Sequence, residues 1–209
     1  MPTEAVDGPL GAGHKVAGVI LAAGLSSRMG KNKLLLELGS ETVVRRAVRN
    51  AIEAALDPVV VVLGHEAERV RGELAGLSYV PLFNPSYADG VGTSLKAGVA
   101  AARTADALVV VLADMPFVTA SMIATVVEQY RASRARLVVS RYGAVDAPPI
   151  CYDRSLFAEL IAEPGERCAK RVVRRHLDEA TIVTWPETAL RDIDLAEDYE
   201  QARAELAGG

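Results

Sequence analysis

Along this chain, continuous apolar runs alternate with segments whose apolar positions recur every three to four residues. The runs Val16–Ala23, Pro58–Gly64, Ser78–Phe83, Ala107–Ala113 and Leu137–Arg141 read as strands. Stretches such as VVVVLG and ALVVVLAD are apolar at nearly every position, as in strands covered on both faces of a parallel sheet. Between the runs, Thr42–Leu56, Glu66–Leu74, Gly92–Arg103 and Ser121–Ser133 carry helical spacing. In the first of these, Val43, Ala47, Ala51 and Ala54 line one face while Arg45, Arg46 and Arg49 largely avoid it. The alternation predicts an α/β fold, a three-layer α/β/α sandwich on a Rossmann-like, mostly parallel sheet with right-handed crossovers. In such sheets ligands gather at the C-terminal strand ends. The segment after the first strand and Asp114 after the fourth are therefore expected on one edge.

The last third is less regular. It predicts an Ala-Pro-Pro turn at Ala147–Pro149, helices near Leu156–Leu160 and Arg167–Leu177, a short strand Thr181–Trp185 and a final helix beyond Asp194. The small, Gly- and Pro-rich opening MPTEAVDGPLGAGHK predicts a flexible tail over 1–14 and has no signal-peptide pattern, leaving 15–209 as a single domain.

Composition narrows the partners. The net charge of -4 disfavours nucleic acid, and no apolar run approaches a membrane span. Cys151 and Cys168 form neither a disulfide framework nor a metal-ligand spacing, which points to a reduced, cytoplasmic setting. Among the cations only Lys170, Arg171, Arg174 and Arg175 cluster, on a helix where solvent is the expected neighbour and anion binding the alternative. His65 and His176 lack a nucleophile in a recognisable frame, and Cys151 reads as packed.

Chemistry concentrates at three strand-to-helix junctions. The first is LAAGLSSRMGKNKLLLELG, Leu21 to Gly39, where glycines, serines and cations follow a buried strand. Such a loop can wrap N–H groups and fixed charges around a polyphosphate. It is not a P-loop, because Gly24 and Gly30 are separated by five residues and Asn32 stands where Ser or Thr is needed. Nor does it hold G-x-G-x-x-G. Arg28 and Lys33 are the phosphate-binding candidates, aided by Ser26, Ser27 and the close backbone approach that Gly24 allows; Lys31 is a weaker one.

The second junction is LADMP, where Asp114 leaves a very apolar strand and is placed to hold Mg²⁺ against phosphate oxygens. Asp194 in RDIDLAEDY can complete that metal site or cap the final helix, with Asp192 a lesser candidate. The third is NPSYADGVGTSLKAG, in which Gly90 and Gly92 permit tight turns and Thr93 and Ser94 would present hydroxyls to a base, ribose or phosphate.

Together LAAGLSSRMGKNKLLLELG, NPSYADGVGTSLKAG, LADMPFVT and DIDLAEDY resemble the MobA-like nucleotidyltransferases, particularly the molybdenum cofactor cytidylyltransferases. The resemblance implies the nucleotide-diphospho-sugar transferase type of fold. It implies that Gly24, Arg28 and Lys33 hold the triphosphate, that Asp114 and Asp194 serve Mg²⁺, and that Leu21, Ala22 and Ala23 in LAAG lie at the base. In that family LAAG accompanies cytidine and LAGG guanosine, and TSLKAG resembles the cytidylyltransferase branch, so CTP is the implied donor. The implied acceptor is a phosphorylated pterin, with a molybdoenzyme or its chaperone as recipient. Two positions depart from the pattern: Asp146–Pro149 reads Asp-Ala-Pro-Pro where a Gly-His-Pro is usual, and Asn32 replaces the acid before the loop lysine. Other phosphorylated acceptors, such as a sugar phosphate or phospholactate, and a silent nucleotide sensor on the same fold are the alternatives.

Overall fold

The computed structural model describes residues 14–25, 30, 32–133, 135–190 and 196–207. Strands β1 (Val16–Ala22), β2 (Glu37–Leu38) and β3 (Glu41–Thr42) lead into helix α1 (Val43–Glu53). Then β4 (Val59–Leu63), α2 (Ala67–Glu73), β5 (Val80–Phe83), α3 (Val91–Ala101), β6 (Ala107–Leu112) and α4 (Ala120–Ser133) alternate. The chain closes with β7 (Leu137–Tyr142), β8 (Val145–Asp153), α5 (Phe157–Ala162), α6 (Cys168–His176), β9 (Thr181–Trp185) and α7 (Ala196–Ala207).

The large sheet has seven strands in the order β5-β4-β1-β6-β8-β7-β9, and β5, β4, β1 and β6 are mutually parallel. Strand alternation sends its side chains into two cores. Ile20, Val61, Leu63, Val109 and Val111 meet α1 and α4 on one face. On the other, Val19, Val60, Val62, Leu108 and Val110 meet α3, α5 and α6. Burial on both sides explains why β1, β4 and β6 are apolar throughout, and the layers are those that the alternation predicts. The apolar face of α1 is also as read, with Val43, Ala47, Ala51 and Ala54 all buried.

Three elements differ from the sequence reading. Ala147–Pro149 is not a turn but part of β8, which runs antiparallel between β6 and β7. The prolines fit because the β7 register jumps from Val139↔Ile150 to Ser140↔Ala147, leaving Pro148 and Pro149 in a bulge that needs no proline N–H. Their carbonyls accept instead from the Tyr142 hydroxyl (2.8 Å) and the Ser140 hydroxyl (2.7 Å). Strand β5 starts at Val80 rather than Ser78, and as the sheet's edge it leaves Val80 and Phe83 exposed. The β2–β3 hairpin was not evident in the sequence, because two-residue strands carry no period to read. Among the described residues, no helix is long and apolar enough to cross a membrane.

Candidate active site

The parallel strands bring their C-terminal ends to one edge, where the junctions are stitched together by backbone hydrogen bonds. Ala113 N–H donates to Leu21 O (3.1 Å), Asn84 N–H to Leu63 O (2.9 Å) and His65 N–H to Ala23 O (3.4 Å). Glycine is required at position 64, since a Cβ there would lie 2.6 Å from the Tyr87 side chain and 2.8 Å from the Ala23 methyl.

Lys33 begins a 3₁₀ turn over Lys33–Leu35 that is capped by Asn32, whose side chain accepts from Leu34 N–H at 3.1 Å. Leu34 is buried in the α1 core and anchors the turn, so the lysine stem leaves from a fixed base. Its Nζ lies 2.6 Å from Asp114 Oδ2, with the two side chains only 13% and 23% exposed. The first and second junctions therefore converge at these two groups. Arg28, Ser26, Ser27, Lys31, Asp192 and Asp194 lie outside the described residues.

The third junction works differently from the reading that gave Thr93 and Ser94 free hydroxyls. Asn84, 4% exposed, donates through Nδ2 to Thr93 Oγ1 and Ser94 Oγ, both at 2.9 Å, and its Oδ1 accepts from Ser86 N–H at 3.0 Å. The Thr93 hydroxyl also reaches the Ser86 carbonyl (2.8 Å), and Ser94 is 2% exposed. These hydroxyls hold the loop to the first turn of α3, and no local sequence pattern signals the Asn84 pin. Gly92 has no room for a side chain, because a Cβ would sit 2.5 Å from the Gly165 carbonyl.

In LAAG, the Ala22 methyl is 1% exposed and belongs to the α1-side core, so that residue can meet a ligand only through its backbone. Ala23 is also buried, Gly24 is open with nothing near its Cβ direction, and Leu21 lines a cavity.

That cavity, about 490 Å³, lies on the α3–α6 face and begins where Leu21 and Leu112 end their strands. Its floor is apolar, from Val110, Ile150 and Tyr152, and its mouth carries Asp146, Glu166 and α6. Burial pushes the Tyr152 hydroxyl well above the ordinary tyrosine range, so it stays a neutral wall group. Asp146 is ion-paired with Arg141 (2.7 Å), which neutralises its charge beside the cavity. The sequence singles out Leu21, Gly92, the Asp146–Pro149 segment and the α6 cations separately, but neither Glu166 nor their meeting at one cavity is legible in it, because they come from distant parts of the chain.

Among the described residues, no three His, Cys, Asp or Glu side chains cluster as a metal cage. Asp114 offers a hard carboxylate at the strand edge, and one carboxylate completed by phosphate oxygens and water suits Mg²⁺.

The sequence matches the family model described as the MobA-like NTP transferase domain over residues 18–180. It is 30% identical to the purine catabolism protein PucB of Bacillus subtilis over 203 residues, 91% of this chain and 97% of PucB. It is 24% identical to the molybdenum cofactor cytidylyltransferase of Escherichia coli over 186 residues, covering 88% and 94% of the two chains. The crystal structure of Rv0371c from Mycobacterium tuberculosis shares the fold at a TM-score of 0.81 and 24% identity, covering 91% of this chain and 98% of that one. A complex of Rv0371c with manganese has also been solved and superposes at 0.76.

Proposed function

Since the chain belongs to the MobA-like NTP transferase family, we propose that this nucleotidyltransferase moves CMP from CTP onto the terminal phosphate of the molybdenum cofactor, releasing pyrophosphate. The observation that carries the reading is the Lys33–Asp114 pair, a cation and a hard carboxylate brought together at the C-terminal strand edge, two residues beyond the cavity-lining Leu112. An acceptor phosphate oxygen bonds to the α-phosphorus of CTP as the bond to the bridging oxygen breaks, and pyrophosphate leaves with that electron pair. No general base is needed, because a phosphate monoester is largely dianionic at neutral pH, with a second pKa near about 6. The protein supplies alignment and charge neutralisation.

Lys33, its stem fixed by the capped turn, stabilises charge on the transferring and leaving phosphates. Gly24, Ser26, Ser27 and Arg28 supply the remainder of the phosphate cradle, and Gly92, Thr93 and Ser94 shape the nucleotide side of the edge. Asp114, with Asp194 as the second acid, would hold Mg²⁺, which when bound screens the repulsion between the two anionic substrates. Residues 15–209 act as one transferase domain, working in the cytoplasm and passing the product to a molybdoenzyme or its chaperone.

A second reading keeps the reaction and changes the acceptor to another phosphorylated small molecule. Asp146 favours it, since an acid stands in the segment where the cytidylyltransferases carry Gly-His-Pro. Pyrophosphate release measured with CTP, GTP, ATP and UTP plus Mg²⁺, with and without molybdenum cofactor, separates the two. Release that needs both CTP and cofactor is expected. CTP binding without release moves the acceptor elsewhere, and no nucleotide binding removes the transferase reading altogether.

A further inference from the structure

The four-cation cluster of α6 is divided by the helix into two pairs with different work. Arg171 Nε lies 2.5 Å from Glu163, and Arg175 pairs with Glu159 and Glu163, so these two cations tie α6 to α5 and its C-terminal end. His176 completes that side, 2.8 Å from Glu159. Lys170 and Arg174 point the other way. With Arg167 they fall at positions i, i+3 and i+7, one face of the helix, and all three line the cavity. Among the described residues none of the three makes an ion pair or a side-chain hydrogen bond.

Across the mouth, Asp146 is neutralised by Arg141 at 2.7 and 3.1 Å, which leaves Glu166 as the one uncompensated acid of the lining. Three cations against one acid give that wall a positive field over an apolar floor. A volume of about 490 Å³ is the size of a small-molecule site. The cavity also starts at Leu112, two residues before Asp114, so a molecule lodged in it can present one end to the Lys33–Asp114 edge.

We propose that Arg167, Lys170 and Arg174 form an anion-binding wall that selects an acceptor with an apolar body and a negative charge separate from the phosphate that reacts. The assignment rests on the transferase reading for the word acceptor; the cavity's preference for an apolar anion stands without it. Charge at the wall would also orient the molecule, because the opposite end is then the one offered to the strand edge.

Two fluorescent probes of one skeleton test the wall: anilinonaphthalenesulfonate, which is anionic, and the uncharged phenylnaphthylamine. The full chain is expected to bind the sulfonate more tightly than the neutral dye. Lys170→Ala with Arg174→Ala should weaken the sulfonate about tenfold, two exposed charge contacts' worth, and leave the neutral dye unchanged. Ala169→Phe, which fills the apolar lining, should weaken both. Sulfonate binding unaltered by the double substitution overturns the wall, and dye binding unaltered by Ala169→Phe overturns the cavity as its place. Calorimetric titration of CTP into the same proteins keeps the two readings apart. CTP binding that persists in the double variant is expected, whereas a wild-type chain that binds the sulfonate but no CTP refutes the transferase reading and with it the word acceptor.

Discussion

Lys33 Nζ and Asp114 Oδ2 stand 2.6 Å apart although eighty residues of chain separate them, and each is the last chemical group of its own strand-to-helix junction. The pair puts a cation and a hard carboxylate within direct reach of each other at the strand edge. On the proposed reading the lysine serves phosphate and the carboxylate serves the metal. Asp114→Asn, which keeps the shape and removes the charge, should lower Mg²⁺-dependent turnover by about a hundredfold or more, the scale for loss of a preorganised electrostatic group. Lys33→Ala should cost a comparable factor. Steady-state kinetics beside a thermal melt decides the matter: a folded Asp114→Asn protein with native turnover takes the residue out of the reaction.

Asn84 is worth more to the fold than its place in a loop implies. Two of its three hydrogen bonds join the end of β5 to the first turn of α3, the third holds the loop at Ser86, and removing its side chain strands the buried Ser94 hydroxyl. Asn84→Ala should destabilise by about 1–3 kcal/mol, the cost of leaving buried polar groups unpaired. Denaturant unfolding measures this directly. An unchanged midpoint would mean that water replaces the amide.

Gly98 illustrates how closely α3 lies on the sheet. A methyl there would come 2.3 Å from Val19 Cγ1 and 3.1 Å from Val62 Cγ2. Helix propensity favours alanine over glycine by about 1 kcal/mol, but overpacking against two central strands costs roughly 1–3 kcal/mol and should prevail. Gly98→Ala is thus expected to lower Tm, and a rise in Tm would show that α3 can lift without loss.

Much of this architecture is legible in the sequence because its physics is local. Runs such as Val59–Leu63 are apolar at every position since both faces are covered, and that pattern needs no knowledge of the fold. The shared edge of Lys33 and Asp114 follows from the parallel connection alone. Pro148 and Pro149 misled the reading, because a proline pair signals a turn unless a bulge in the partner strand receives it. The partner of the Thr93 and Ser94 hydroxyls is hidden for a similar reason: the Asn84 amide that donates to both lies nine and ten residues upstream. Likewise, the split of α6 into paired and unpaired cations depends on where α5 lies, which no local pattern contains.

Acid should loosen the α1 face. The Arg49 hydrogen bond, outweighing burial and assisted by nearby Arg46 and Arg45, holds the Glu41 carboxyl below the ordinary range. A carboxyl whose folded value lies below its unfolded one, about 4.3, binds more protons unfolded. Its contribution is therefore present above that value and lost as pH falls through the folded one. Glu41→Gln should melt below wild type at neutral pH, with the gap closing as pH drops from about 5 to about 3. A gap independent of pH would assign the loss to shape rather than to charge.

Base choice gives the last expectation. LAAG and LAGG differ at position 23, and the structure separates that residue from its neighbour: the Ala22 methyl is core, while Ala23 abuts Gly64 and Tyr87 at the strand edge. Ala23→Gly removes a methyl and frees the backbone where the strand opens toward the loop, so it should shift the ratio of kcat/KM for CTP and GTP toward GTP. Ala22→Gly should leave that ratio alone and reduce stability by about 0.5–1 kcal/mol, the ordinary cost of glycine within a strand. Parallel measurement of both nucleotides on both variants tests the separation. A selectivity change at Ala22 but not Ala23 would place base recognition in the backbone of β1 rather than at its end.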